Sequence, residues 1–155
     1  IERYGAEALR YFVCRELSTF EDSGFTWERF NELYNANLAN GLGNLVARIM
    51  KLAETYLDES LGINHQFHDT FASLLDNFQI QKAMNHIWSE MGSLDALSQE
   101  EKPWESKDKK VIGDLVVKLA HIGYSLAPFM PETSEKILKA IEGNKMPETL
   151  FPRKE

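Results

Sequence analysis

The sequence predicts an all-α fold, an antiparallel bundle of about five or six helices, and three observations carry that expectation. Apolar residues recur at three- and four-residue steps over nearly the whole chain, no run alternates apolar with polar, and the breaks in the helical rhythm are short. The chain has 155 residues, 43% of them hydrophobic, enough for one core of its own. A domain of this size buries about 68–70% of the surface its unfolded chain exposes.

In order along the chain, residues 2 to 17 (ERYGAEALRYFVCREL) place apolar side chains at 8, 9, 12, 13 and 17, a helical spacing. Ser18 to Gly24 is small, acidic and ends in glycine, a loop signal. Thr26 is a candidate N-cap for a long helix from Trp27 to Leu57, with Gly41 and Gly43 as the place for a bend. Gly62 to His68 reads as a connection, and Asp69 as the cap of a short helix ending at Asp76. A further helix runs from about Gln79 to Leu97, and the polar stretch 98 to 110 (SQEEKPWESKDKK) follows. Helix resumes near Lys107, breaks at Pro128 and Pro131, and returns from Glu132 or Thr133 to Ile141 before Gly143. Trp27 and Trp88 fall on apolar helix faces and read as core.

Composition bounds the function. Cys14 is the one cysteine, so an intrachain disulfide or a cysteine-built zinc site is excluded. No apolar run approaches the roughly 20 residues of a membrane helix, and no signal-peptide pattern is present. The chain opens at Ile1 inside a helical pattern and reads as a fragment of a longer protein. Its formal net charge is −7, whereas phosphate-driven nucleic-acid binding draws on Lys and Arg. A nucleic-acid role for this chain therefore means reading a few bases locally.

The stretch NANLANGLGNLVAR raises that prospect. Asn and Gly are weak helix formers, with Gly costing about 1 kcal/mol against Ala, yet they crowd the middle of an apolar-periodic run. At roughly 100° per residue, Asn37, Asn40, Asn44 and Arg48 share an arc beside the apolar face, with Gly41 at its border. Asn and Arg present paired, planar donors and acceptors that match base edges. A purely structural reading, in which these amides satisfy loop ends and helix termini, stands beside that one. Trp104, in EEKPWESKD, has no apolar partner other than Pro103 within five residues. Pro103 fixes its own φ, and the indole it steadies can either stack on an unpaired base or fold back as a lid on the core.

These stretches resemble the C-terminal anticodon-binding domain of the methionyl-tRNA synthetase family, a class I synthetase domain type. IERYGAEALRYFVCREL and EDSGFTWERF are similar to the part just past that family's KMSKS loop. NANLANGLGNLVARIM resembles its asparagine-rich helix, KPWE its proline–tryptophan dipeptide, and LAPFMPETSEKI with LFPR its C-terminal signature. The resemblance implies a linking segment over 1–25 and a helical-bundle anticodon-binding domain over 26–155. It implies that Asn44 and Arg48 hydrogen-bond the cytosine opening a CAU anticodon while Trp104 stacks on it, with Pro103, Asn40 and Asn37 in weaker support. The implied partners are the anticodon loop of a methionine tRNA and the catalytic domain of the same parent chain, with no membrane and no DNA. The implied setting is cytoplasmic, an organellar one being left open. The sequence departs from the family where an Asn about nine residues before the proline is replaced by Leu94, and where WESKDKK is short.

No catalytic constellation is legible. GLG at 41–43 lacks the third glycine of a phosphate loop, Val46 standing there, and no strand precedes it. His65 and His68 read as loop histidines, His86 and His121 as surface or satisfied core. The resemblance places ATP, Mg, methionine and any zinc in the catalytic domain, so no cofactor is expected in this chain. Two other classes remain at this point: the matching domain of another class I synthetase, and a helical protein-interaction module without an RNA role.

Overall fold

The computed structural model describes residues 3–17, 24–63 and 66–155. Among these the chain is all-helical, and seven separate rods pack as a bundle around one core. Gly5, at φ 86°, turns the chain into the first rod, a conformation that costs little without a Cβ. There α1 (Ala6–Tyr11) passes unbroken into a π-helical turn, π1 (Phe12–Glu16). The second rod is continuous from Trp27 to Tyr56 and has three parts: α2 (Trp27–Leu33), π2 (Tyr34–Gly43) and α3 (Asn44–Tyr56). Then come α4 (Asp69–Asp76), α5 (Ile80–Glu101), α6 (Pro103–Ser106), α7 (Lys109–Ser125) and α8 (Pro131–Glu142). The rod beyond the expected six is α6, a single turn where a polar loop was expected.

Local chemistry sets most of these boundaries. Thr26 caps α2, its Oγ1 accepting from the Arg29 N–H at 3.2 Å, and Asp108 caps α7 through the Lys110 N–H at 2.8 Å. Asp69 is not the cap of α4: it sits inside the first turn, and His68 occupies the cap position without a side-chain bond. The Asp69 carboxylate still suits the positive end of the helix. α8 begins at Pro131, earlier than its sequence pattern indicated, because a residue distant in sequence completes it. The buried Glu7 carboxylate accepts from the N–H of Glu132 at 2.6 Å, the N–H of Thr133 at 3.0 Å and the Thr133 hydroxyl at 2.5 Å. The expected loop at 18–23 lies outside the described residues.

The core gathers around α7, which packs against α3, α5 and α8. Val46, Ile49, Met50 and Ala53 of α3 meet the same interior as Leu115, Leu119 and Ala120 of α7 and Ala83, Met84 and Ile87 of α5. Tyr11 and Phe12 of the first rod are buried in it as well. α7 and α8 pack closely at Gly123, where a Cβ would meet the Ile137 Cγ2 at 2.8 Å. This scaffold sets α3 and α5 on neighbouring sides of α7, and thereby places the site.

Candidate nucleic-acid interface

The asparagine-rich stretch is helical but not α-helical. Across π2 the backbone bonds reach back five residues, and the series ends with the N–H of Asn44 bonded to the carbonyl of Ala39. Such wide turns are rare and cluster at functional sites. The single wheel at 100° per residue therefore fails here: Asn37, Asn40 and Gly41 belong to π2 and do not share one α-helical arc with Asn44 and Arg48. What survives is the pair in α3, where Asn44 and Arg48 stand four residues apart on one face.

Asn44 is exposed, and its side chain makes no hydrogen bond among the described residues. Arg48 reaches across to α5, where one Nη donates to the Asp95 carboxylate; the two side chains keep 37% and 51% of their surface exposed. The Nε of Arg48 is buried and has no acceptor among the described residues. Asp95 was not singled out in the sequence, where the weak helix propensity of Asp inside a long helix was the available signal. Leu94, standing where the resembled family has an Asn, is buried core. The polar partner of Arg48 is the next residue along.

Trp104 lies at the far end of that same helix. From Asp95 to Glu101 is about 9 Å of α5 at 1.5 Å per residue, and α6 follows after Lys102. Lys102 and Lys107 both hold left-handed backbone, at φ 43° and 53°, so α6 is bracketed by two tight turns. Pro103 is buried as its first residue, and its carbonyl accepts from the Lys107 N–H at 2.9 Å. Trp104, the next residue, is 38% exposed, so it is not a lid sunk in the core. No hydrogen bond or ring contact joins Trp104 to Asn44 or Arg48 among the described residues.

The other amides divide differently from what the sequence suggested. Asn37 is half-buried and Asn40 exposed, and neither side chain is hydrogen-bonded among the described residues. The amide that anchors a neighbour is Asn35, whose Nδ2 donates to the Lys154 carbonyl at 2.7 Å while its Oδ1 accepts from the Lys154 N–H at 2.9 Å. Tyr34 beside it donates to the Pro152 carbonyl at 3.0 Å, so the C-terminal segment is pinned along π2. Trp27 is not core: it is 62% exposed at the start of α2, with its ring against Tyr4, Phe25 and Phe30. Trp88 is partly buried, packed at 4.8 Å on the Tyr11 ring.

Elsewhere a hollow of about 1050 Å³ runs between α5 and α7, lined by His86, Glu90, Leu97, Lys118 and His121 among others. Among the described residues no group of three or more His, Cys, Asp or Glu side chains is placed to hold a metal ion. His68 is exposed near the His121 ring, and His65 lies outside the described residues. No helix among them is long and apolar enough to cross a membrane.

Known proteins match this architecture. Residues 1–50 match the family model described as tRNA synthetases class I (M). A methionine–tRNA ligase of Lactococcus lactis is 32% identical over 91% of the chain, and one of Clostridium acetobutylicum is 31% identical over 88%. In each case the chain spans 25% of the relative's length. The fold of a Mycobacterium tuberculosis methionyl-tRNA synthetase in its apo form superimposes with a TM-score of 0.75 at 24% identity, covering 99% of this chain and 40% of that one.

Proposed function

We propose that this chain, a homologue of the methionyl-tRNA synthetases over most of its length, reads the CAU anticodon for a methionine–tRNA ligase. Asn44 and Arg48 hydrogen-bond the edge of the cytosine that opens the anticodon, and Trp104 offers a ring for it to stack on. Pro103 steadies that ring, and Asn40 and Asn37 lie beside the path of the loop. Single-stranded loops are read in this manner, by splaying bases onto aromatic faces and bonding their edges. The acidic balance of the chain suits a readout that rests on a few side chains rather than on phosphate contacts.

One observation supports this reading above the others: Trp104 is left 38% exposed although its mount, Pro103, is buried. A large aromatic held stiffly at the surface is a stacking platform. The catalytic part of the parent supplies ATP, Mg and methionine chemistry. This chain contributes specificity, since binding the correct anticodon holds the acceptor end where that part acts.

The test is a panel of anticodon stem–loops. A CAU stem–loop binds, changing its first base weakens binding by about 1–3 kcal/mol, and Trp104→Ala costs about as much. A Trp104→Ala protein that stays folded and binds like the parent overturns the assignment. Binding indifferent to the anticodon points instead to a protein-interaction module.

A further inference from the structure

Asp95 and Arg48 face each other from α5 and α3, and together they have a chemistry that neither has alone. Resting on the anticodon reading above, we propose that Asp95 is a specificity-determining residue: its carboxylate and the Arg48 guanidinium form one recognition edge that takes cytosine and turns away uracil.

Cytosine presents along its pairing edge a donor, the N4 amino group, followed by two acceptors, N3 and O2. Its complement is one acceptor followed by two donors. An ionised carboxylate only accepts and a guanidinium only donates, so a carboxylate set against a guanidinium is that complement. The contact between them uses one Nη of Arg48 and one oxygen of Asp95. The second Asp95 oxygen is uncommitted on a side chain that keeps half its surface in water. Arg48 keeps N–H groups on its other Nη, on a side chain 37% exposed.

Uracil inverts the first two positions. Its O4 carbonyl meets the Asp95 carboxylate where cytosine brings an amino group, and its N3–H meets a guanidinium that has no acceptor to offer. Both contacts are wrong in sign, and the carboxylate acts as the rejecting element, as specificity commonly requires. Asn44 cannot do this, because an amide turns either its oxygen or its nitrogen to the base and serves both pyrimidines.

The experiment measures binding of two anticodon stem–loops that differ only in the first base, CAU and UAU, to the parent chain, Asp95→Asn, Asp95→Glu and Trp104→Ala. The parent prefers CAU. Asp95→Asn reduces the CAU:UAU ratio on the order of tenfold, the scale of one well-formed base contact, because the new amide donates to O4. Asp95→Glu keeps most of the ratio, and Trp104→Ala weakens both RNAs together. Because Asp95 is half exposed, the variants fold, and thermal melts check this. An Asp95→Asn protein that binds both RNAs less well by the same factor, with the ratio intact, overturns the proposal and leaves Asp95 as a holder of Arg48. A parent chain without preference between the two RNAs overturns the anticodon reading itself.

Discussion

At the scale of single residues, Arg48 shows why residue type matters more than charge. Its planar fork serves Asp95 through one nitrogen and leaves others for a second partner, which the compact ammonium of lysine does not do in the same plane. Arg48→Lys therefore keeps the charge and the fold but weakens binding of a CAU stem–loop by about 1–3 kcal/mol, the worth of a bidentate base contact. Titration against the parent chain measures this, and an unchanged affinity removes Arg48 from the site. The amides illustrate the same point. Asn35 is spent on the chain's own C-terminal segment, whereas Asn44, seemingly equivalent in sequence, stays exposed.

At the scale of elements, helix ends and helix type govern. α8 has no side-chain cap of its own and is completed by Glu7, which brings a carboxylate to the N–H groups of its first turn. This satisfies orphan donors and sets a negative charge at the positive end of the helix. Glu7→Gln keeps the shape but removes the charge and one acceptor position, and lowers stability by about 1–3 kcal/mol. Chemical denaturation reads that loss, and an unchanged midpoint shows the contact to be unimportant. The π2 segment is the second lesson at this scale. Three asparagines and two glycines in a stretch of ten lower the α-propensity that would resist a wider turn. The Asn44–Arg48 pair begins where regular α-helix resumes.

At the scale of the whole molecule, the first rod is locked to α5 through Tyr11, which gives stability a dependence on alkaline pH. The Tyr11 hydroxyl donates to Glu16 at 2.7 Å and accepts from Arg15 at 2.7 Å, beneath the Trp88 ring. Burial, reinforced by the bond to Glu16, pushes its pKa well above the ordinary phenol value of 10.0. Burial likewise raises the Cys14 thiol above 9.0. The folded state thus holds protons that the unfolded chain releases, so stability is full below about pH 9 and falls as pH rises past the unfolded values. Melting temperatures between pH 7 and 11 show this decline, and Tyr11→Phe, which cannot ionise there, makes it shallower while the raised Cys14 and Tyr34 groups keep their share. A Tyr11→Phe protein with the parent's slope places the alkaline loss elsewhere.

The sequence by itself determined the fold class, the positions of most helices and the cap at Thr26, because these follow from periodicity and from side chains acting within a few residues. It also marked Asn44, Arg48 and Trp104, because a weak helix former in an apolar run, or a tryptophan among charges, is conspicuous without coordinates. Only the tertiary structure decided that Asp95 stands beside Arg48, that Glu7 completes α8, that Trp27 is exposed and that the asparagine stretch winds as a π-helix. Each of those depends on what another segment brings near. A contact between residues 47 or 125 positions apart leaves no period in the chain that makes it.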